Sequence, residues 1–400
     1  MVAEPHRPLF AVGILQAITV MLFWSYELAS RLNLCTPIVW PLPSTWWHGL
    51  LMIHGVFVFP IFGFIFTAGP RWQVTKEITP QIYLPTVTLM GSGWIFIYAS
   101  LVNSDLLTPG LCLVIAGWAV GMCGVFKLLL HPAADRGHIM SMTLALVACG
   151  LSMAGMLAFS AGASPWFGNA SVIVGTWGFL LPVFFTVMHR MLPFFSSMSI
   201  PHYRVIRPRW LLWVVLSGSI CHAGLAMTDQ EHLLWVLDLP MALITAWLAS
   251  RWGLRASFID PLLLVLHVAF AWLPIGLVLS AISSLMFLFG LGSLGMAPLH
   301  ALTLGCFTSL IVGMGSRVTL VHSGKPLVAD GVMWFGFWAI QVAAILRVGA
   351  VSPEWGGMAL LSAMVWIGAF VLWGWHYAPF YWRPKEDGVF KQPQGRVPPA

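Results

Sequence analysis

Residues 47–72 read WHGLLMIHGVFVFPIFGFIFTAGPRW, and no charged side chain interrupts them before Arg71. About 20 consecutive apolar residues cross the hydrocarbon of a bilayer. The stretch is therefore read as a membrane-spanning helix, with Arg71 marking the polar break that follows. The same pattern continues in both directions. It predicts twelve spans, at 9–26, 47–68, 80–100, 106–130, 138–160, 169–189, 210–227, 232–250, 261–285, 297–317, 329–349 and 357–379. Apolar character barely lapses between Ser283 and Pro298, and the break there is set at Gly290, Gly292 and Gly295. The expected fold is an all-α, polytopic membrane bundle over 1–380, with a short disordered tail at 381–400. The first apolar run lacks a small-residue cleavage site, so it is expected to stay as an anchor.

Charge placement fixes the expected orientation. With twelve spans, all of the 19 Lys and Arg except Arg31 and Arg347 fall at the termini or in every second break. Positive residues mark the cytoplasmic side, so both termini are expected inside. The chain is 59% hydrophobic and 8% charged, against roughly 25% charged in soluble domains. Orientation accounts for the net charge of +6, which therefore gives no nucleic-acid signal. The partner implied is the lipid bilayer. Among the six Cys there is no CxxC pair, which argues against zinc ribbons and thioredoxin-like sites. GLGSLG at 290–295 matches GxGxxG but lacks the strand and helix that a dinucleotide fingerprint needs. Gly117 and Gly121 form a GxxxG pair suited to close helix packing.

Ionisable groups at membrane depth are expensive and usually face the bundle interior. Thirteen His stand against 13 acidic residues. Neutral imidazole is a cheap way to bind a transition metal or haem iron in an apolar site. His48 and His54 lie on one span, about 9 Å apart in depth and roughly 120° apart in direction. They are thus expected to serve different partners. His48 is either an interfacial residue beside Trp46 and Trp47 or a ligand. His267 has no polar neighbour in sequence, so it needs a hydroxyl or carbonyl partner or a haem iron. His300 opens a span after Pro298, as a cap or a ligand. His322 lies at the inner surface, as a ligand or a bond to the Gly/Ser-containing loop after it. Asp238 is the only carboxylate well inside a span, suited to a proton relay, to orienting a ligating His, or to a local pair. Arg190 and Arg317 close two spans as snorkelling anchors or as clamps for propionate carboxylates.

Five stretches carry a family resemblance. They are HRPLF at 6–10, the 47–72 stretch, HRMLPFF at 189–195, LLLVLHVAFAWLPIGL at 262–277, and LHALTLGCFTSLIVGMGSRVTLVHSGKPL at 299–327. In order and spacing, over essentially the whole chain, the sequence resembles the NnrS family. The resemblance implies a twelve-span bacterial inner-membrane protein with haem and copper, tied to nitric oxide metabolism and nitrosative stress. It makes His267, His300 and His48 the first expected haem or metal ligands, with Arg190 and Arg317 as clamps. His48, His54, His300 and His322 are the expected metal set. One departure bears on copper. The family's second span opens W-H-x-H-E, whereas this chain reads Trp47, His48, Gly49, Leu50, Leu51. The second His and the Glu are lost, so haem is the firmer expectation and copper the weaker.

Two other functions fit the same helices. A secondary transporter is one, although no repeat is evident between residues 1–200 and 201–400. A non-catalytic membrane partner of a reductase complex is the other. The residues leave open whether turnover occurs and which electron donor would serve it.

Overall fold

The computed structural model describes residues 4–132 and 136–383, and all regular structure among them is helical. Twelve long helices follow one another as α1 (His6–Arg31), α2 (Ser44–Gln73), α3 (Pro80–Ala99), α4 (Ser104–Leu130), α5 (Gly137–Ser160) and α6 (Pro165–Ser199). Then come α7 (Arg209–Met227), α8 (Trp235–Arg251), α9 (Pro261–Leu288), α10 (Ala297–Ser323), α11 (Gly331–Gly349) and α12 (Gly356–Trp382). Eleven are long and apolar enough to cross a membrane. The exception is α8, with 17 residues. Even so, the ends of the chain meet. Arg7 donates from Nη1 to the Arg383 carbonyl at 2.8 Å. Ends that share one side require an even number of crossings, which twelve helices satisfy if α8 crosses as well. The expected tail at 381–400 falls mainly outside the described residues, and Tyr381 and Trp382 still belong to α12.

Three helices form the core. In α2, α6 and α10, 83% of the apolar window is buried, against 39–56% in the other spanning helices. They are the second, sixth and tenth helices, one from each successive group of four. Each is wrapped by its predecessor: α1 packs on α2, α5 on α6 and α9 on α10. Each also widens into a π-helical stretch, at Leu51–Val56, Val174–Leu180 and Ala301–Thr308. A π turn bonds i to i+5, is rare, and often marks functional sites. In α10 the Thr308 hydroxyl follows the same offset, donating to the Thr303 carbonyl five residues back at 2.9 Å.

The peripheral helices expose apolar side chains, as lipid-facing surfaces do. Trp375 on α12 is 84% exposed. Where outer helices must come close, glycine makes room. A Cβ at Gly117 of α4 would lie 2.8 Å from the Met90 backbone nitrogen of α3, and one at Gly121 would meet Phe62 of α2. The GxxxG pair thus serves packing, as small residues do between membrane helices. The glycines of GLGSLG turn the chain between α9 and α10 with positive φ at 290, 292 and 295.

Candidate metal centre

At the end of the bundle that carries the termini, three ligand-bearing side chains converge. Glu4 and Pro5 sit at the threshold of α1, so a carboxylate stands where the positive helix N-terminus favours one. His6 is the first residue of the helix proper. His322 comes from the last turn of α10, which stops because Gly324 adopts φ 76° and reverses the chain. One ligand atom from each of Glu4, His6 and His322 lies within 4.8 Å of the other two. His322 Nδ1–H donates to Glu4 Oε1 at 3.0 Å, and His6 Nε2 is 3.7 Å from Glu4 Oε2. The two imidazole centroids are 4.6 Å apart.

The electrostatics favour an ionised carboxylate. Burial pushes the Glu4 carboxyl up, but the hydrogen bond from His322 and the nearby His322, His6 and Arg7 outweigh it, holding it at about 2. Arg7 Nε lies 3.4 Å from Glu4 Oε2 and fixes the carboxylate from the other side. His6 is 1% exposed, and its Nδ1 is buried without a hydrogen-bond partner. Its ring packs edge-on against Phe10 and Tyr381, and the Tyr381 hydroxyl is 3.0 Å from Thr319 Oγ1. Two imidazoles and a carboxylate form a donor set for a divalent transition metal. An orphaned imidazole nitrogen in a dry place is the kind of group that a bound ion accounts for.

Sequence reasoning had singled out only His322 here. Glu4 carried no signal. His6 appeared only within the HRPLF stretch, without a role.

The other expected site residues fall into separate places. His48 and His300 come together at the far end, close enough to act on one another and on Arg347 electrostatically. His48 stacks on Trp24 at 3.9 Å and leaves Nδ1 buried and unpartnered. His300 Nδ1–H donates to the Met296 carbonyl at 2.8 Å. His54 takes another direction. Its Nε2 is 2.9 Å from Ser152 Oγ and its Nδ1 3.7 Å from Cys149 Sγ, so α5 occupies both nitrogens.

His267, fully buried, meets the Ser196 hydroxyl at 3.0 Å through Nε2. That hydroxyl in turn donates to the Trp252 carbonyl. Asp238 sits 2.7 Å from His222 Nδ1, whose ring stacks on Trp177 in the π stretch of α6. Arg190 lies over Trp72 at 4.9 Å and Arg317 over Phe195 at 4.0 Å. Arg317 Nη1 is buried and unpartnered. Sequence reasoning also missed a direct imidazole pair, His138 Nε2 to His189 Nδ1 at 3.1 Å, which continues from His189 Nε2–H to the Pro208 carbonyl.

Between the core helices lies a cavity of about 70 Å³, walled by α1, α2, α5, α6, α10 and α12. Its lining is apolar, including Phe10, Pro60, Val187, Ile311 and Phe370. Phe10 links it to the cluster, since the same ring packs on His6. No histidine lines it. Organic ligands of porphyrin size need roughly 300–1,000 Å³, so the cavity does not fit a haem. The Glu4–His6–His322 donor set does fit a metal ion.

The sequence matches the family model described as NnrS protein over residues 1–385. No curated protein sequence matches it significantly.

Proposed function

The chain belongs to the NnrS family, and from that premise we propose that it is a metal-binding protein of the bacterial inner membrane that takes nitric oxide as its ligand. The observation that carries this reading is the cluster of half-buried Glu4 with buried His6 and His322, joined through Phe10 to an apolar cavity. Those three residues would hold the ion, and iron, copper and zinc all suit imidazole together with carboxylate. A bound ion would supply an open coordination position for a diatomic ligand.

The rest of the chemistry belongs to the chain. Glu4 stays ionised through neutral pH, so it binds a cation without first losing a proton. Arg7 and His322 fix the directions of its two oxygens. Phe10 and Tyr381 close the membrane side of His6 and keep bulk water away from its buried Nδ1. No step is assigned to haem. By the positive-inside rule this end of the bundle would face the cytoplasm.

The test is elemental analysis of protein purified in mild detergent, with iron and copper counted separately and the visible spectrum recorded. About one transition metal per chain is expected from the three-ligand set found among the described residues. It should be lost in His6→Ala and His322→Ala and kept in His54→Ala, whose nitrogens bond to α5. A metal-free wild type, or metal content indifferent to His6 and His322, overturns the proposal. A Soret band that persists in both variants would place haem elsewhere in the bundle.

A further inference from the structure

The central cavity has a neighbour. On the outside of the bundle, a shallow groove runs between α1 and α12, lined by Ile14, Ile18, Val371, Gly374, Trp375 and Trp382. Its wall includes Trp375, the most exposed tryptophan of α12. Ile14 lines both the groove and the cavity. A methyl group at Gly374 would sit 2.6 Å from Ile14 Cγ2. Glycine at 374 thus lets the Ile14 side chain lie flat against α12 as the partition between lipid and cavity.

We infer that the cavity is a binding site for a small apolar molecule of diatomic size, and that Ile14 is its side door from the bilayer. Three physical points support this. First, a cavity of about 70 Å³ has room for water, which takes about 30 Å³ per molecule, but a water also needs two to four polar partners. This wall is apolar, and such cavities stay dry and take up xenon or similar guests. Second, apolar solutes leave water for hydrocarbon, so they are concentrated where the groove opens. Third, the cavity ends at Phe10, one helical turn from His6 on the same face of α1. A guest that enters past Ile14 therefore arrives beside the three-ligand cluster. Its delivery to a metal rests on the function proposed above, whereas its occupancy of the cavity does not.

Xenon is the probe, used with the full chain in lipid nanodiscs for ¹²⁹Xe NMR and in pressurised crystals for its position. Expected is one xenon between Val187, Ile311 and Phe370. Val187→Phe, which fills that space, should abolish it. Ile14→Trp should slow xenon exchange, and Ile14→Ala should speed it. The pair keeps the door testable if one variant folds poorly. Metal content should stay at the wild-type value in both. An empty or water-filled cavity, a lipid chain threaded through it from the groove, or exchange indifferent to both Ile14 variants overturns the inference. Xenon bound in a metal-free wild type would sink the metal reading alone, and metal without xenon would sink this one alone.

Discussion

At the scale of single residues, the imidazoles differ in how far their nitrogens are satisfied. His54 has a hydroxyl and a thiol of a neighbouring helix on its two nitrogens. His222 meets a carboxylate and His267 a hydroxyl, as buried polar groups must, since an unpaired one costs several kcal/mol. His6, His48 and His267 each keep a buried Nδ1 with no partner.

Glu4 gives the cluster a pH signature. Its carboxyl is held at about 2, below the ordinary 4.5. A folded-state value below the unfolded one adds stability above pH 4.5, and that contribution is lost as the pH falls from 4.5 toward 2. In metal-free protein, the difference in melting temperature between wild type and Glu4→Gln should therefore shrink across that window. A difference constant from pH 6 to 2 would show that the carboxylate gains nothing from its neighbours. The effect should be modest, because Glu4 is only partly buried and solvent screens it.

Among the elements, the buried helices depart most from regularity. A sequence of apolar residues cannot show a π turn, because a helix buried on nearly every side is apolar all round, and a one-residue shift of register then leaves no mark in the pattern. Helix existence was legible for the opposite reason. Length and uncharged runs decide it, and the expected spans at 47–68, 169–189 and 297–317 all lie inside α2, α6 and α10. The break at 290–295 was legible too, since positive φ is a conformation glycine adopts without strain.

Gly117 permits a direct test of element packing. Ala is favoured over Gly inside a helix by about 1 kcal/mol, so Gly91→Ala, which meets nothing within 4 Å, should be neutral or stabilising. Gly117→Ala places a methyl 2.6 Å from Met90 Cγ and 2.8 Å from backbone. It should cost about 1–3 kcal/mol, the usual penalty of overpacking, read as a lower melting temperature in detergent. Equal behaviour of the two variants would mean that α3 and α4 are not in the close contact described.

On the scale of the whole molecule, the most buried helices recur at every fourth position, as α2, α6 and α10, and each carries a π stretch. Comparing residues 1–200 with 201–400 sets α1–α6 against α7–α12 and does not align these three. The candidate metal cluster was hidden for a different reason. Glu4 and His322 are 318 positions apart, and spacing along one chain does not say which helix ends share a corner of the bundle.

The charges imply an orientation, and it has a test in a native residue. Cys35 lies in the α1–α2 connection, at the end of the bundle away from Arg7 and Arg383, and is partly exposed. Of the exposed thiols, Cys112, Cys123 and Cys221 sit within helices α4 and α7, among apolar neighbours that face lipid. If the positive end is cytoplasmic, a membrane-impermeant maleimide should label intact cells with a permeabilised outer membrane at Cys35. Cys35→Ser should abolish that labelling. Arg31 and Arg347 are the two basic residues assigned to that side, too few to reverse a bias carried by all the others. Labelling that appears only after the inner membrane is opened would invert the bundle, moving Glu4, His6 and His322 to the outer face and away from cytoplasmic metal.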